Sequence, residues 1–222
     1  MGSEMASDMG RRLLAEFIGT AFLLIGVIGS GIMAERLTTD VGLQLLANAA
    51  ATVGVLYAII VMFGPVSGAH FNPAVTVADA WLGNRPWGDV GPYVAAQIVG
   101  GAVGTMAANV MFELDVVNLS EKARDTSNLW FSEVIATFGL VLLVFTVVRS
   151  GREHLAAGGV AAYIGGAYWF TSSTSFANPA VSVTRTLSDT FAGIEPASAP
   201  MFVLMQMLGM ALAVWAVRVL YP

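Results

Sequence analysis

Apolar runs long enough to enter a bilayer alternate along this chain with short polar breaks. Runs at about 13–33, 41–64, 92–112, 129–148, 156–170 and 200–217 predict six helical spans, because roughly 20 apolar residues cross the hydrocarbon core. The fifth is short and glycine-rich. Two further stretches, SGAHFNPAVTVADAWL and TSSTSFANPAVSVTRTLSD, are too polar and too short to cross. Each predicts a re-entrant loop leading into a half-helix, the first ending near Trp81. Irregular backbone survives at membrane depth only where protein buries it or water lines it. The longest polar stretch, Glu113 to Asn128, divides the chain in two.

The two parts repeat. AEFIGTAFLLI answers SEVIATFGLVLL, placing Glu16 and Glu133 117 residues apart; Asn72 and Asn178 are 106 apart, and Gln97 and Gln206 are 109 apart. Near-constant offsets indicate a duplication, with 11–112 as the first repeat and 129–220 as the second. Three spans per repeat is an odd number, so the second repeat enters from the opposite face and the two re-entrant loops can meet at the midplane. The expected fold is an all-α membrane protein, a single domain over 1–222, with six spans and two half-helices in inverted three-helix repeats. Residues 1–10, polar and without a basic n-region, read as a loose tail rather than a signal peptide.

Composition sharpens this in three ways. The chain is 56% hydrophobic and 11% charged, against about 25% charged in soluble domains, which makes it an integral membrane protein. A net charge of −5 with few, scattered basic residues excludes a nucleic-acid partner. No cysteine is present and the histidines are only His70 and His154, so no disulfide, metal site or cofactor is expected, and no nucleophile–base pair suggests an enzyme. With both termini inside, Arg11, Arg12, Arg85, Arg149, Arg152 and Arg218 are cytoplasmic, against Arg36, Lys122 and Arg124 outside. That excess favours cytoplasmic termini in a plasma or inner membrane.

The candidate chemistry lies in the duplicated motif, Asn72-Pro73-Ala74 and Asn178-Pro179-Ala180. Asn suits a helix N-cap and Pro the first helical position, so each copy predicts a helix start carrying free N–H groups and partial positive charge. Two such starts facing each other at the midplane favour polar, uncharged solutes and oppose cations. Glu16 and Glu133, the acids well inside spans, are placed by the repeat to accept backbone N–H bonds from the re-entrant loops. A proton relay is the rival reading for them. His70 can hydrogen-bond its loop in place or line the cytoplasmic half of a pore and gate it. Gly100-x-x-x-Gly104 suits close helix packing.

With paired motifs inside SGAHFNPAV and SFANPAVSV, the chain resembles the aquaporin and aquaglyceroporin channels. The resemblance implies a homotetramer with one pore per protomer, a supporting role for Glu16 and Glu133, and a selectivity filter at fixed distances from the motifs. Those distances fall on Thr52 (20 before Asn72), Gly166 (12 before Asn178), Ser175 (3 before Asn178, or Phe176 if the loop is shifted by one) and Val181 (3 after Asn178). Relatives commonly carry arginine at the last position; valine removes its charge, its rigid donors and its bulk. Arg185, one turn beyond Val181, either reaches back toward the filter or snorkels to the outer interface. A filter without arginine resembles that of bacterial channels of the S type linked to arsenic resistance. That likeness implies neutral trivalent arsenic acid and related metalloids as solutes. A water, glycerol or urea channel is the alternative, and a proton-coupled secondary transporter the rival from another class.

Overall fold

The computed structural model describes residues 2–221, with side chains from residue 8 onward. It is built from eight α-helices: α1 (Gly2–Leu37), α2 (Val41–Ser67), α3 (Pro73–Trp81), α4 (Val90–Met111), α5 (Ser127–Arg149), α6 (Ala156–Phe170), α7 (Pro179–Thr184) and α8 (Ala199–Leu220). The tail expected over 1–10 falls largely on residues whose side chains lie outside the description. Residues 8–10 are helical and continuous with α1, where Asp8 and Arg12 pair one turn apart at 2.6 Å. Five of the helices are long and apolar enough to cross a membrane on their own. The sixth span is α6, whose 15 residues rise only about 22 Å, with a short 3-10 turn, Glu153–Leu155, leading into it.

The inverted repeat is visible in the packing. Within the first repeat α1 packs on α2 and α4; within the second α5 packs on α6 and α8, and α2 meets α6 across the centre. Glycines set the closeness of these crossings. A Cβ on Gly100 or Gly104 would stand 2.3 or 2.2 Å from the carbonyl oxygens of Phe17 and Ala21 on α1, and one on Gly209 would stand 2.4 Å from that of Val134 on α5. At those distances the backbones would have to separate, so each crossing depends on the missing side chain.

The half-helices α3 and α7 fill the space left between the repeats. Each packs against the closing span of both repeats, α4 and α8. α2 ends at Gly68, whose φ of +91° lets the chain turn sharply out of the helix while its N–H bonds Gly64 O. The central polar stretch is more than a solvated spacer. Asn118 N and Ser120 N donate to Leu187 O and Thr186 O, and Asn109 Nδ2 of α4 donates to both Val116 O and Leu187 O, tying the stretch to the turn that follows the second half-helix.

Candidate functional site

The two motifs build matching tips. Asn72 and Asn178 both sit in extended conformation (φ −154° and −157°) and cap their helices, Asn72 Oδ1 accepting from Ala74 N and Asn178 Oδ1 from Ala180 N and Val181 N. Proline follows as the first helical residue, where it forfeits no hydrogen bond. The side-chain amides then cross between repeats: Asn72 Nδ2 donates to Ala177 O and Asn178 Nδ2 to Phe71 O, both at 2.7 Å. Each amide nitrogen carries two hydrogens, so one remains free on each asparagine. Both asparagines line one cavity of about 600 Å³.

The tips are held from behind by the two buried acids. Glu16 accepts from Ser67 Oγ (2.6 Å), His70 N (3.0 Å), Phe71 N (2.7 Å) and Gln97 Nε2 (2.7 Å). Glu133 accepts from Ser173 Oγ (2.6 Å), Phe176 N (2.9 Å), Ala177 N (2.8 Å) and Gln206 Nε2 (2.6 Å). Both carboxylates are fully buried, and four donors replace the water each has lost. Backbone N–H groups converge on the acids because Ala69, Phe71, Ser175 and Ala177 adopt left-handed φ of 50–53°, a conformation costly without glycine. The glutamines complete the frame by donating also to Thr76 Oγ1 and Ser182 Oγ inside the half-helices. Gln97 and Gln206 are legible in the sequence as a repeat, but their role emerges only from the fold.

One side of the cavity is apolar, formed by Leu23, Val27, Leu56, Leu140, Val144 and Ile164. Of the residues expected at the filter, Thr52, Ser175 and Val181 line the cavity and are buried, and Phe176 lines it beside Ser175. Gly166 does not: it is exposed and faces away. The cavity face of α6 carries Ile164 and Tyr168, one turn apart, and Gly166 between them lies about 200° round the helix. Counting back a fixed 12 residues from Asn178 does not register how the connecting loop folds, and Tyr168 rather than Gly166 lines the cavity. Its hydroxyl lies 3.0 Å from Thr52 Oγ1, closing a polar bridge between α2 and α6.

Arg185 turns inward rather than snorkelling outward. After α7 ends at Thr184 the chain tightens into a 3-10 turn, Arg185–Leu187, which rolls the side chain into the protein at 3% exposure. Its guanidinium lies 3.4 Å above the Phe176 ring, its Nε donates to Ala192 O, and it lines the cavity. Arg124, from the central stretch, comes in against the same ring, 4.9 Å from its centroid, and donates to Gly193 O and Ser173 O. Nothing in the sequence signals that Arg124 folds inward, since its partners are 49 and 69 residues away.

The end of the cavity beside the first half-helix is polar and ion-paired. His70 Nδ1 bonds Thr76 Oγ1 at 3.0 Å and its Nε2 stands 3.5 Å from Asp79, so it both fixes its loop and faces the cavity. Asp79 is bridged by Arg85 at 3.0 Å, and the Arg85 guanidinium covers Tyr93 at 4.1 Å. Glu153 and His154 complete this end of the cavity.

The chain is similar to known proteins in sequence and in fold. The profile of the major intrinsic protein family matches residues 4–175. Aquaglyceroporin AqpS of Rhizobium meliloti is 45% identical over 211 residues, covering 95% of this chain and 90% of that protein. Aquaporin NIP6-1 of Arabidopsis thaliana is 32% identical over 153 residues, 68% of this chain and 49% of its own length. The X-ray structure of the aquaglyceroporin from Plasmodium falciparum superposes with a TM-score of 0.71 at 19% identity, over 94% of this chain and 95% of that one, a likeness of fold.

Proposed function

Because the chain belongs to the major intrinsic protein family, whose members are membrane channels and not enzymes, we propose that it passively conducts small uncharged hydroxylated solutes, trivalent arsenic acid and related metalloids foremost. The observation that carries this reading is the crossed pair of motif asparagines, each keeping a free N–H beside a single cavity. A solute in that cavity meets donors on one side and the apolar wall of Leu23, Val27 and Leu140 on the other. Such a cross-section suits molecules with hydroxyl groups along one edge and holds nothing for a hydrated ion. Breaking the solute's hydrogen-bond chain at the asparagines also interrupts proton transfer along the file.

Arsenic enters through the resemblance to S-type channels, with Val181 in place of the usual filter arginine. Glycerol is the second reading, favoured by 45% identity to an aquaglyceroporin and by a glycerol uptake facilitator protein of Streptococcus pneumoniae at 29% over 154 residues. We place the chain in the plasma membrane with both termini cytoplasmic, as a homotetramer. Burial of Arg124 takes one outer basic residue off the surface and strengthens the cytoplasmic bias of the others.

Val181→Arg tests the filter. In proteoliposomes followed by stopped-flow light scattering, the variant is expected to lose arsenite and glycerol flux by about tenfold while keeping most water flux, since added bulk at a constriction rejects the larger solute first. Equal loss of all three solutes, or no loss, rejects Val181 as a size-setting position.

A further inference from the structure

Position 181 carries a valine, and a guanidinium reaches the same cavity from another position. Arg185 lies one helical turn past Val181, outside α7, in the 3-10 turn that follows. Its side chain is 3% exposed and lines the cavity together with Thr52, Tyr168, Ser175 and Val181. Two contacts fix it: the face of Phe176 at 3.4 Å and the Ala192 carbonyl, which takes Nε. Among the described residues neither terminal nitrogen of Arg185 has a hydrogen-bond partner, and no carboxylate pairs with it. Glu133, the buried acid of that half, has its two oxygens occupied by four other donors.

A buried guanidinium with two idle nitrogens and no counterion is costly unless something in the cavity accepts from it. Ser175 Oγ, buried in the same lining, also lacks a partner. Two further cations lie near Arg185. Arg124 stands 4.9 Å from the centre of the same Phe176 ring, and burial beside Arg124 and Arg185 pulls the Lys122 ammonium down to about 8. Glu35 and Asp189, the acids nearest Lys122, are engaged by Phe191 N and by Glu121 N.

We infer that Arg185 is a specificity-determining residue of this channel, supplying from outside the motif helix the donors that meet a solute's oxygens in the filter, with Phe176 as its positioning residue. The filter is therefore free of arginine at position 181 without being free of arginine. Because the guanidinium is anchored by ring stacking and a carbonyl beyond α7, it leaves Val181 as an apolar wall, and the passage is wider there than if arginine stood at 181. The ligand class is a neutral solute with acceptor oxygens, and cations are repelled at the same point. This inference rests on the channel reading above.

The test compares Arg185→Val, Arg185→Lys, Phe176→Leu, Val181→Arg and the exchange Val181→Arg/Arg185→Val, each purified as a monodisperse protein and reconstituted. Water, glycerol and erythritol flux are measured, together with proton leak by an entrapped pH dye. Arg185→Val is expected to raise erythritol relative to water and to raise proton leak severalfold. Arg185→Lys should keep the low leak but lose solute discrimination, and Phe176→Leu should shift discrimination in the direction of Arg185→Val. The exchange variant, which keeps one guanidinium, should recover the glycerol flux that Val181→Arg alone loses. A purely structural Arg185 predicts the reverse: wild-type discrimination and leak in Arg185→Val, and an exchange variant no better than Val181→Arg. Either result overturns the inference. Should Arg185→Val not assemble, Arg185→Lys and the exchange pair decide by the same criteria. Failure of the channel reading is distinct, since wild-type vesicles would then pass no solute faster than empty ones.

Discussion

Glu133→Leu abolishes solute flux and lowers the thermal midpoint in detergent by more than about 10 °C. Four donors converge on this carboxylate, two of them backbone N–H groups of the second re-entrant loop. Leucine fills the volume and accepts nothing, so each donor is stranded in a dry interior at about 1–3 kcal/mol apiece. For a chain of this size each kcal/mol moves the midpoint by roughly 2–4 °C. The loop also holds Ser175 and Ala177 in left-handed conformations that these bonds help to sustain, so it relaxes once the acceptor goes. The tip carrying Asn178 then loses its place against Phe71 O. Glu133→Gln retains one accepting oxygen and turns an NH₂ group toward two donors, and is expected to show about half the loss. Glu16→Leu should behave like its counterpart, because Glu16 serves the first loop in the same way. Scanning fluorimetry beside flux measurements checks this, and a Glu133→Leu protein that melts and conducts like the wild type would refute the supporting role.

Asn178→Leu and Asn178→Asp are expected to separate capping from conduction. Leucine removes the acceptor for Ala180 N and Val181 N and leaves the Phe71 carbonyl unpaired. Loss of the cap costs about 1 kcal/mol and the stranded carbonyl a similar or larger amount. Aspartate restores the cap, but it supplies no N–H to Phe71 O or to a solute and places negative charge at the midplane. Both variants should lose water and glycerol flux by more than about tenfold, since central electrostatics govern passage. Only the leucine variant should also lose the stability due to the cap. Wild-type flux through Asn178→Asp would show that the amide hydrogens do not meet the solute.

How much of this was legible in the chain depends on whether a feature is local. The spans follow from apolar length, and the half-helix starts follow from Asn-Pro chemistry that operates within three residues. Glu16 and Glu133 stood out because an acid inside an apolar run needs donors and the repeat offered a loop to each. Gly166 was misplaced because a spacing taken along the sequence does not register how the loop between α6 and α7 folds, and Tyr168 holds the cavity-facing position. Arg185 was ambiguous because its direction is set by a 3-10 turn after α7 and by a ring nine residues earlier, neither of which periodicity reveals. Arg124 lay beyond sequence reasoning altogether, as it sits in a polar stretch that looks solvated and becomes buried through carbonyls of distant loops.

The decisive measurement is the flux of glycerol and of arsenite into vesicles bearing this protein, with and without an imposed proton gradient and across a wide concentration range. Passage beside two fixed asparagine tips predicts rates that rise in proportion to concentration and ignore the gradient, in either direction. Rates that level off and follow the protons would show instead that Glu16 and Glu133 carry charge through a moving carrier, and the account of a static pore would fall.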